Sequence, residues 1–158
     1  EVSMGSPYDL ITGNENITLH SLTVGQETID AYLVTLGNPH CIVMTNNIIG
    51  DEFDTYAQTI SSHPQFADGI NVSFVEKIAD DAYQIRTFER GAGETLACGS
   101  AACAAAACIA ASTPHQLTLH FKGGALNVRI DEQGRVYQNG PAKHVFEGSI
   151  DLAELSEH

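Results

Sequence analysis

A cysteine that opens a helix directly after a glycine-rich turn has the clearest chemical use of any arrangement in this chain. The segment reads Glu89-Arg90-Gly91-Ala92-Gly93-Glu94-Thr95-Leu96-Ala97-Cys98-Gly99-Ser100, a strand end, a polar loop and the start of an uncharged stretch. A thiol at a helix N-terminus feels the positive end of the macrodipole, which can lower its pKa from ~8.5 into the range ~3.5–7.5 and make Cys98 a usable base. The N–H groups of Gly99 and Ser100 would leave the same terminus without intrahelical partners, a ready site for an anion such as a carboxylate. Glycines at 91, 93 and 99 let the backbone approach a ligand closely. Glu89 and Arg90 add one charge of each sign beside the pocket, a pairing that suits a zwitterionic amino acid.

Other chemistries find less support. A cysteine within an alanine-rich helix is by default a small buried hydrophobe, and Cys103 and Cys108 take that reading. Steps of five residues turn about 140° around a helix, so Cys98, Cys103 and Cys108 can share neither a face nor a metal. Leu96 stands where a dinucleotide fingerprint needs its third glycine, and no P-loop lysine follows a glycine-rich turn. His115 and His120, five apart on a strand, would face opposite sides, and the nucleophile elbow of serine hydrolases is absent.

The elements that must position this segment follow from periodicity. Ile17–Val24 alternates apolar and polar residues, Ala31–Leu36 is β-rich, and Gly25-Gln26 reads as the turn between them. The turn Gly37-Asn38-Pro39-His40 leads into a strand over Cys41–Thr45 and sets polar residues at its edge. Phe53, Tyr56, Ala57 and Ile60 mark an amphipathic helix over Asp51–Ser62, with Pro64 beyond its end. Ile70–Ile78 and Tyr83–Phe88 read as strands paired through Asp80-Asp81, and Glu89–Thr95 as a loop. Cys98–Ala111 carries no charge, and the run Ala101–Ala111 is Ala, Cys and Ile on every side, which predicts a buried helix. At ~1.5 Å per residue it is only ~21 Å long, too short for a bilayer, so protein must wrap it. Strands predicted at Gln116–Lys122, Ala125–Ile130, Val136–Asn139 and His144–Phe146 supply the wrapping. The expected fold is α+β, a curved mixed or antiparallel sheet around a buried central helix.

The chain has 158 residues, 43% of them hydrophobic, enough to bury a core as one compact domain. Seven Lys and Arg against 20 Asp and Glu give a net charge of −13, which repels nucleic-acid phosphates and anionic lipid and argues against either partner. The four cysteines are too few and too unevenly placed for the disulfide framework of a small secreted domain, so a reducing cytoplasm is expected. The first methionine, Met4, already lies in a predicted strand, and sequence upstream of Glu1 is expected to be missing.

The run ERGAGETLACGSAACA resembles the second cysteine motif of the diaminopimelate epimerases, whose usual form reads ERGxGETxACGTGACA. Three further segments fall in that family's order: LGNPHCIVM at Leu36–Met44, GINVSFVEKI at Gly69–Ile78 and VYQNGPAKHVFEG at Val136–Gly148. The opening VSMGSP resembles the family's interdomain crossing. The resemblance covers essentially the whole chain and implies that residues 1–158 are the C-terminal half of a two-domain fold with the substrate in the cleft between halves. It implies that Cys98 is one of two thiols acting on opposite faces of an α-carbon, with neither pyridoxal phosphate nor metal. Gly99 and Ser100 are then implied to bind the α-carboxylate through their N–H groups, and Glu89 the ammonium at the reacting centre. Arg90, Asn38 and Asn71 are implied to hold the distal end, and His40 to assist the ionisation or placement of the thiol. Ala101 in place of the family's usual glycine and Ser100 in place of its frequent threonine would narrow the carboxylate site.

The implied reaction interconverts LL- and meso-2,6-diaminopimelate in lysine and peptidoglycan-precursor synthesis. Because the N-terminal half with the other cysteine is absent, the chain alone is expected to be inactive. Its expected partners are a small amino-acid substrate, the N-terminal half of the same protein and, through an exposed apolar interdomain face, a second copy in a homodimer. The alternatives are a related cofactor-independent racemase acting on another amino acid such as histidine, and a non-catalytic self-associating module.

Overall fold

The computed structural model describes residues 1–48, 50–110 and 115–151. Among the described residues eleven strands form one sheet: β1 (Val2–Gly5), β2 (Tyr8–Asp9), β3 (Leu19–Val24), β4 (Glu27–Thr35), β5 (Pro39–Thr45), β6 (Asn71–Ala79), β7 (Ala82–Glu89), β8 (Gly93–Thr95), β9 (His115–Phe121), β10 (Gly124–Ile130) and β11 (Val136–Asn139). Helix α1 (Phe53–Ser61) joins β5 to β6, and helix α2 (Gly99–Ile109) lies between β8 and β9. The strand order is β1-β11-β10-β9-β7-β6-β5-β4-β2, with β3 also on β4 and β8 also on β7. The β5–β6 and β7–β9 pairs are parallel and the others antiparallel, so the sheet is mixed.

Each helix covers one face. Successive side chains on a strand point to opposite sides, and here Leu33, Cys41, Val43, Val72 and Phe74 pack with α1 while Val34, Ile42, Val75 and Ile85 pack with α2. Covered on both faces, β5 is buried from His40 to Val43 and β6 from Asn71 to Val75, polar and apolar positions alike. In β9, Leu117, Leu119 and Phe121 are buried on the side of α2, and Gln116 and His120 are exposed. The sheet curls around α2, whose residues Ala101 to Cys108 are all buried. Alanine on every side lets the helix lie close to the strands, and a larger side chain there would overpack by about 1–3 kcal/mol.

Two expected features differ. Residues 144–146 form no strand, and Val145 and Phe146 are 82% and 81% exposed, because no described strand offers them a partner edge. The stretch after Glu89 is not simply a loop: Gly91 and Gly93, at φ +81° each, turn the chain back so that β8 pairs with β7. Ala111, the expected end of the central helix, and the side chain of His115 lie outside the described residues. No helix among the described residues is long and apolar enough to cross a membrane.

Candidate active site

The register of three neighbouring strands assembles one row of polar groups. His40 on β5 is paired with Asn71 on β6, and Asn71 lies one step beyond the Val72–Phe88 pair, opposite Glu89 on β7. Alternation from Ile42, Val75 and Ile85 turns all three toward the face that α2 covers. Cys98 enters α2 at the same end, as its N-cap, with extended backbone at φ −137° and ψ 115°. Ser, Thr, Asp or Asn usually caps a helix; here the sulfur makes no hydrogen bond of capping geometry, although the Ala101 N–H lies near enough to favour the thiolate, and the N–H groups of Gly99 and Ser100 are not tied by it.

Around the sulfur, Ser100 Oγ lies 3.5 Å from Cys98 Sγ. Asn38 Nδ2 donates to Ser100 Oγ at 3.1 Å, and His40 Nε2 lies 3.2 Å from Asn38 Oδ1. Asn71 Nδ2 donates to Pro39 O at 3.0 Å while its Oδ1 accepts from the Arg90 N–H at 3.1 Å. Thr95 Oγ1 donates to Glu89 Oε1 at 2.7 Å, fixing the carboxylate from the neighbouring strand. The guanidinium of Arg90 reaches Asp68 O at 3.2 Å and is exposed. The structure thus brings Asn38, His40, Asn71, Glu89, Cys98, Gly99 and Ser100 to one end of the sheet, with Arg90 at its rim. The amides of Asn38 and Asn71 each bond within the protein, although an amide keeps a further N–H and lone pair for a ligand.

The electrostatics of Cys98 run opposite to the expectation from the helix terminus. Burial pushes the thiol above its ordinary value; the Ser100 hydroxyl and the Ala101 N–H favour the thiolate, and the Glu89 carboxylate, which also hydrogen-bonds the thiol, opposes it. Desolvation and a neighbouring anion together outweigh one helix dipole. Burial, then the charge of Arg90, depresses His40 to about 4, so that its ring is neutral. Burial alone raises Cys41 to about 12, and chiefly burial raises Cys103 to about 12; Cys108 is also raised, in keeping with packing roles.

Several supporting residues escaped the sequence reading. Glu94 and Thr95 point to opposite faces of β8: Thr95 holds Glu89, while Glu94 accepts Arg86 Nε and Nη2 at 2.6 and 2.9 Å and Lys122 Nζ at 2.6 Å. Arg86 also stacks 4.0 Å over the ring of Phe53, tying the β7–β8 hairpin to α1. Gly123, in the β9–β10 turn, donates its N–H to Leu96 O at 2.7 Å, just before Cys98. The carboxamide of Gln138 on β11 sits against Gly99, where an added Cβ would lie 2.5 Å from its Oε1. The GAGET spacing marked a turn; its strand register, which reveals the Thr95–Glu89 contact, is not readable without the pairing.

The fold and this row of groups around a helix-opening thiol fit one family. The family model for diaminopimelate epimerase matches residues 32–145, and the chain belongs to that family. Curated diaminopimelate epimerases resemble it closely: that of Heliobacterium modesticaldum is 39% identical over 134 residues, 83% of this chain and 48% of that protein. That of Pelotomaculum thermopropionicum is 39% identical over 150 residues, 94% and 51% respectively, and that of Rippkaea orientalis 34% over 163 residues, 96% and 58%. The chain therefore spans about half the length of the curated relatives it matches. Among solved structures, a Bacillus anthracis phenazine biosynthesis protein of the PhzF family aligns with a TM-score of 0.48 at 22% identity over 65% of this chain and 34% of that one, a likeness too loose to bear on function.

Proposed function

We propose that this chain forms one of two facing walls of a cofactor-independent epimerase active site, acting on 2,6-diaminopimelate with Cys98 as one of two acid–base thiols. The observation that carries the reading is the setting of Cys98: a thiol at the opening of α2 with the Glu89 carboxylate on one side and the Ser100 hydroxyl and Ala101 N–H on the other. As a thiol, Cys98 donates its proton to the α-carbon; as a thiolate, it accepts one. In the second direction the Cα–H bond breaks, the electron pair stays on the substrate's α-carbon and carboxylate, and an S–H bond forms. A second thiol, from a segment outside these residues, delivers a proton to the opposite face, and the stereocentre inverts with no net gain or loss of atoms.

Glu89 serves twice in this scheme, accepting the Cys98 proton when the thiolate is needed and facing the substrate ammonium. Gly99 and Ser100 receive the α-carboxylate on uncapped N–H groups, and Asn38, Asn71 and Arg90 face the distal end. The test is incorporation of solvent deuterium at the α-carbon of diaminopimelate, with the chain alone and after mixing with the N-terminal portion of a full-length relative. Exchange and inversion that appear only on mixing, and vanish in Cys98→Ala, support the reading. Exchange with a different amino acid alone would replace the substrate, and no exchange in an assembled complex would sink the two-thiol scheme.

A further inference from the structure

Resting on the reading of Gly99 and Ser100 as the seat of the α-carboxylate, we infer that Gln138 on β11 is a third donor to that carboxylate, reaching it from the flank of the curled sheet opposite Asn38. In the strand order β11-β10-β9-β7-β6-β5, the strands that carry Gln138 and His40 stand at opposite ends, and the sheet curls around α2 between them. Val136, two residues before Gln138, is buried against α2, and Val128, the cross-strand partner of Gln138, is buried in the same cluster. Alternation therefore turns Gln138 onto the helix rather than outward. Its carboxamide rests on Gly99: a Cβ at that position would lie 2.5 Å from Oε1, 2.9 Å from Nε2 and 3.1 Å from Cδ. The amide can sit there because residue 99 has no side chain.

The hydrogen-bond accounts on the two sides match. Of the first-turn N–H groups of α2, that of Ala102 is bonded to Cys98 O at 3.1 Å and that of Ala101 faces the sulfur, which leaves Gly99 and Ser100 for a ligand. A carboxylate offers about four lone-pair sites on its two oxygens, so two N–H groups meet half of them. The amides of Asn38 and Asn71 are already engaged with Ser100 Oγ and Pro39 O. The Gln138 carboxamide, by contrast, makes no hydrogen bond among the described residues, and the residue is half-buried beside the half-buried Gly99 and Ser100. A polar group held out of bulk water without a partner is costly, and a carboxylate seated on α2 gives its Nε2 an acceptor. The donor is neutral, so it adds to the seat without placing a second positive charge near the substrate ammonium.

The test is an amide NMR titration of the 15N-labelled 158-residue chain with diaminopimelate, and with 1,5-diaminopentane, which carries the two amines and no carboxylate. The backbone amides of Gly99 and Ser100 and the side-chain NH2 of Gln138 should shift along one binding curve with diaminopimelate and stay still with the diamine. Gln138→Leu, which keeps the bulk and removes the donor, should weaken binding about tenfold, the worth of one hydrogen bond to a charged group. Gln138→Glu, equal in size, sets carboxylate against carboxylate and should weaken it further. Gly99→Ala keeps its N–H but places a Cβ where the amide lies. That amide ends a flexible side chain and swings away, so Gly99→Ala should lose the same factor as Gln138→Leu, and the double variant no more. A Gln138 NH2 that stays still while Gly99 and Ser100 move, a Gln138→Leu chain that binds as the parent does, or losses that add in the double variant overturn the inference. Should Gln138→Leu lose the dispersed amide spectrum of a folded protein, the isosteric Gln138→Glu decides, and parent-like binding by it overturns the inference. No shift at Gly99 and Ser100 overturns it together with the carboxylate seat. The expected shifts without deuterium exchange in an assembled complex would count against the proposed reaction alone.

Discussion

Replacing Gly123 by alanine tests whether the β9–β10 turn holds the approach to Cys98 in place. The added Cβ would lie 2.8 Å from Leu96 O, 3.0 Å from Leu96 Cβ and 3.2 Å from Leu96 C. Two of those atoms are backbone, so a rotamer change cannot relieve the clash. Either the turn backs away, breaking the 2.7 Å bond from Gly123 N to Leu96 O, or residues 96–98 shift. Overpacking of about 1–3 kcal/mol and a lost hydrogen bond of about 0.5–1.5 kcal/mol together come to roughly 3 kcal/mol. For a domain of this size that lowers Tm by about 6–12 °C. Gly124→Ala is the control: its Cβ meets nothing within 4 Å, and at φ +136° it costs backbone strain only. Both variants should melt early in a calorimetric scan, but only Gly123→Ala should also move the pH titration of the Cys98 13Cβ resonance. A Gly123→Ala protein within about 1 °C of the parent Tm, or one whose thiol titrates as in Gly124→Ala, would refute the positioning argument.

Further outcomes follow from other contacts. Native His40 sits at about 4 against 6.5 unfolded, so the unfolded chain binds more protons between those values and stability should fall by up to ~3 kcal/mol as pH drops from about 7 to 4; urea titrations across that window should flatten in His40→Leu. Burial pushes the Asp9 carboxyl up, but the N–H groups of Thr18 and Thr12, then His20 and the Thr18 hydroxyl, outweigh it and hold it well below the carboxylate range. Its stabilisation is therefore present above the unfolded carboxylate pKa and lost on deep acidification, and Asp9→Ala, which leaves the Ile11, Thr12 and Thr18 N–H groups without their acceptor, should cost about 1–3 kcal/mol by denaturant melt. Glu94→Gln should loosen the β7–β8 hairpin, seen as faster amide exchange at Thr95 while α2 stays protected. Val145, Phe146 and Ile150 are exposed, and light scattering should find self-association that Val145→Ser/Phe146→Ser reduces.

The readable parts of this protein are those whose information is local. Cys98-Gly99-Ser100 needs only adjacent residues to open a helix, and the alanines that follow announce burial because nothing in them can face water. The strands expected over Cys41–Thr45 and Ile70–Ile78 are likewise readable from their own residues, and β5 and β6 lie there. The ionisation of Cys98 was misread because a helix terminus is visible in sequence while the desolvating shell and the approach of Glu89 depend on three-strand register. Thr95, Gln138 and Gly123 were missed for the same reason: each acts across a strand pair or from the far side of α2. His144–Phe146 has the composition of a strand, but composition cannot supply the neighbour a strand requires.

The edge strand β1 has a consequence for how the protein is made. Val2 and Ser3 pair with Gln138 and Tyr137, and Glu1 closes a 2.9 Å ion pair with Arg129, so residues more than 120 positions apart share one sheet edge. At a ribosomal rate of about 5–20 residues per second, roughly 7–27 s separate the synthesis of β1 from that of β11. Throughout that interval β1 is a strand with no mate, and β11 exposes its own edge until the two meet. The pairing of β1 with β11 is therefore a late step, and until it happens the β11 edge is open to a chaperone or a second nascent copy.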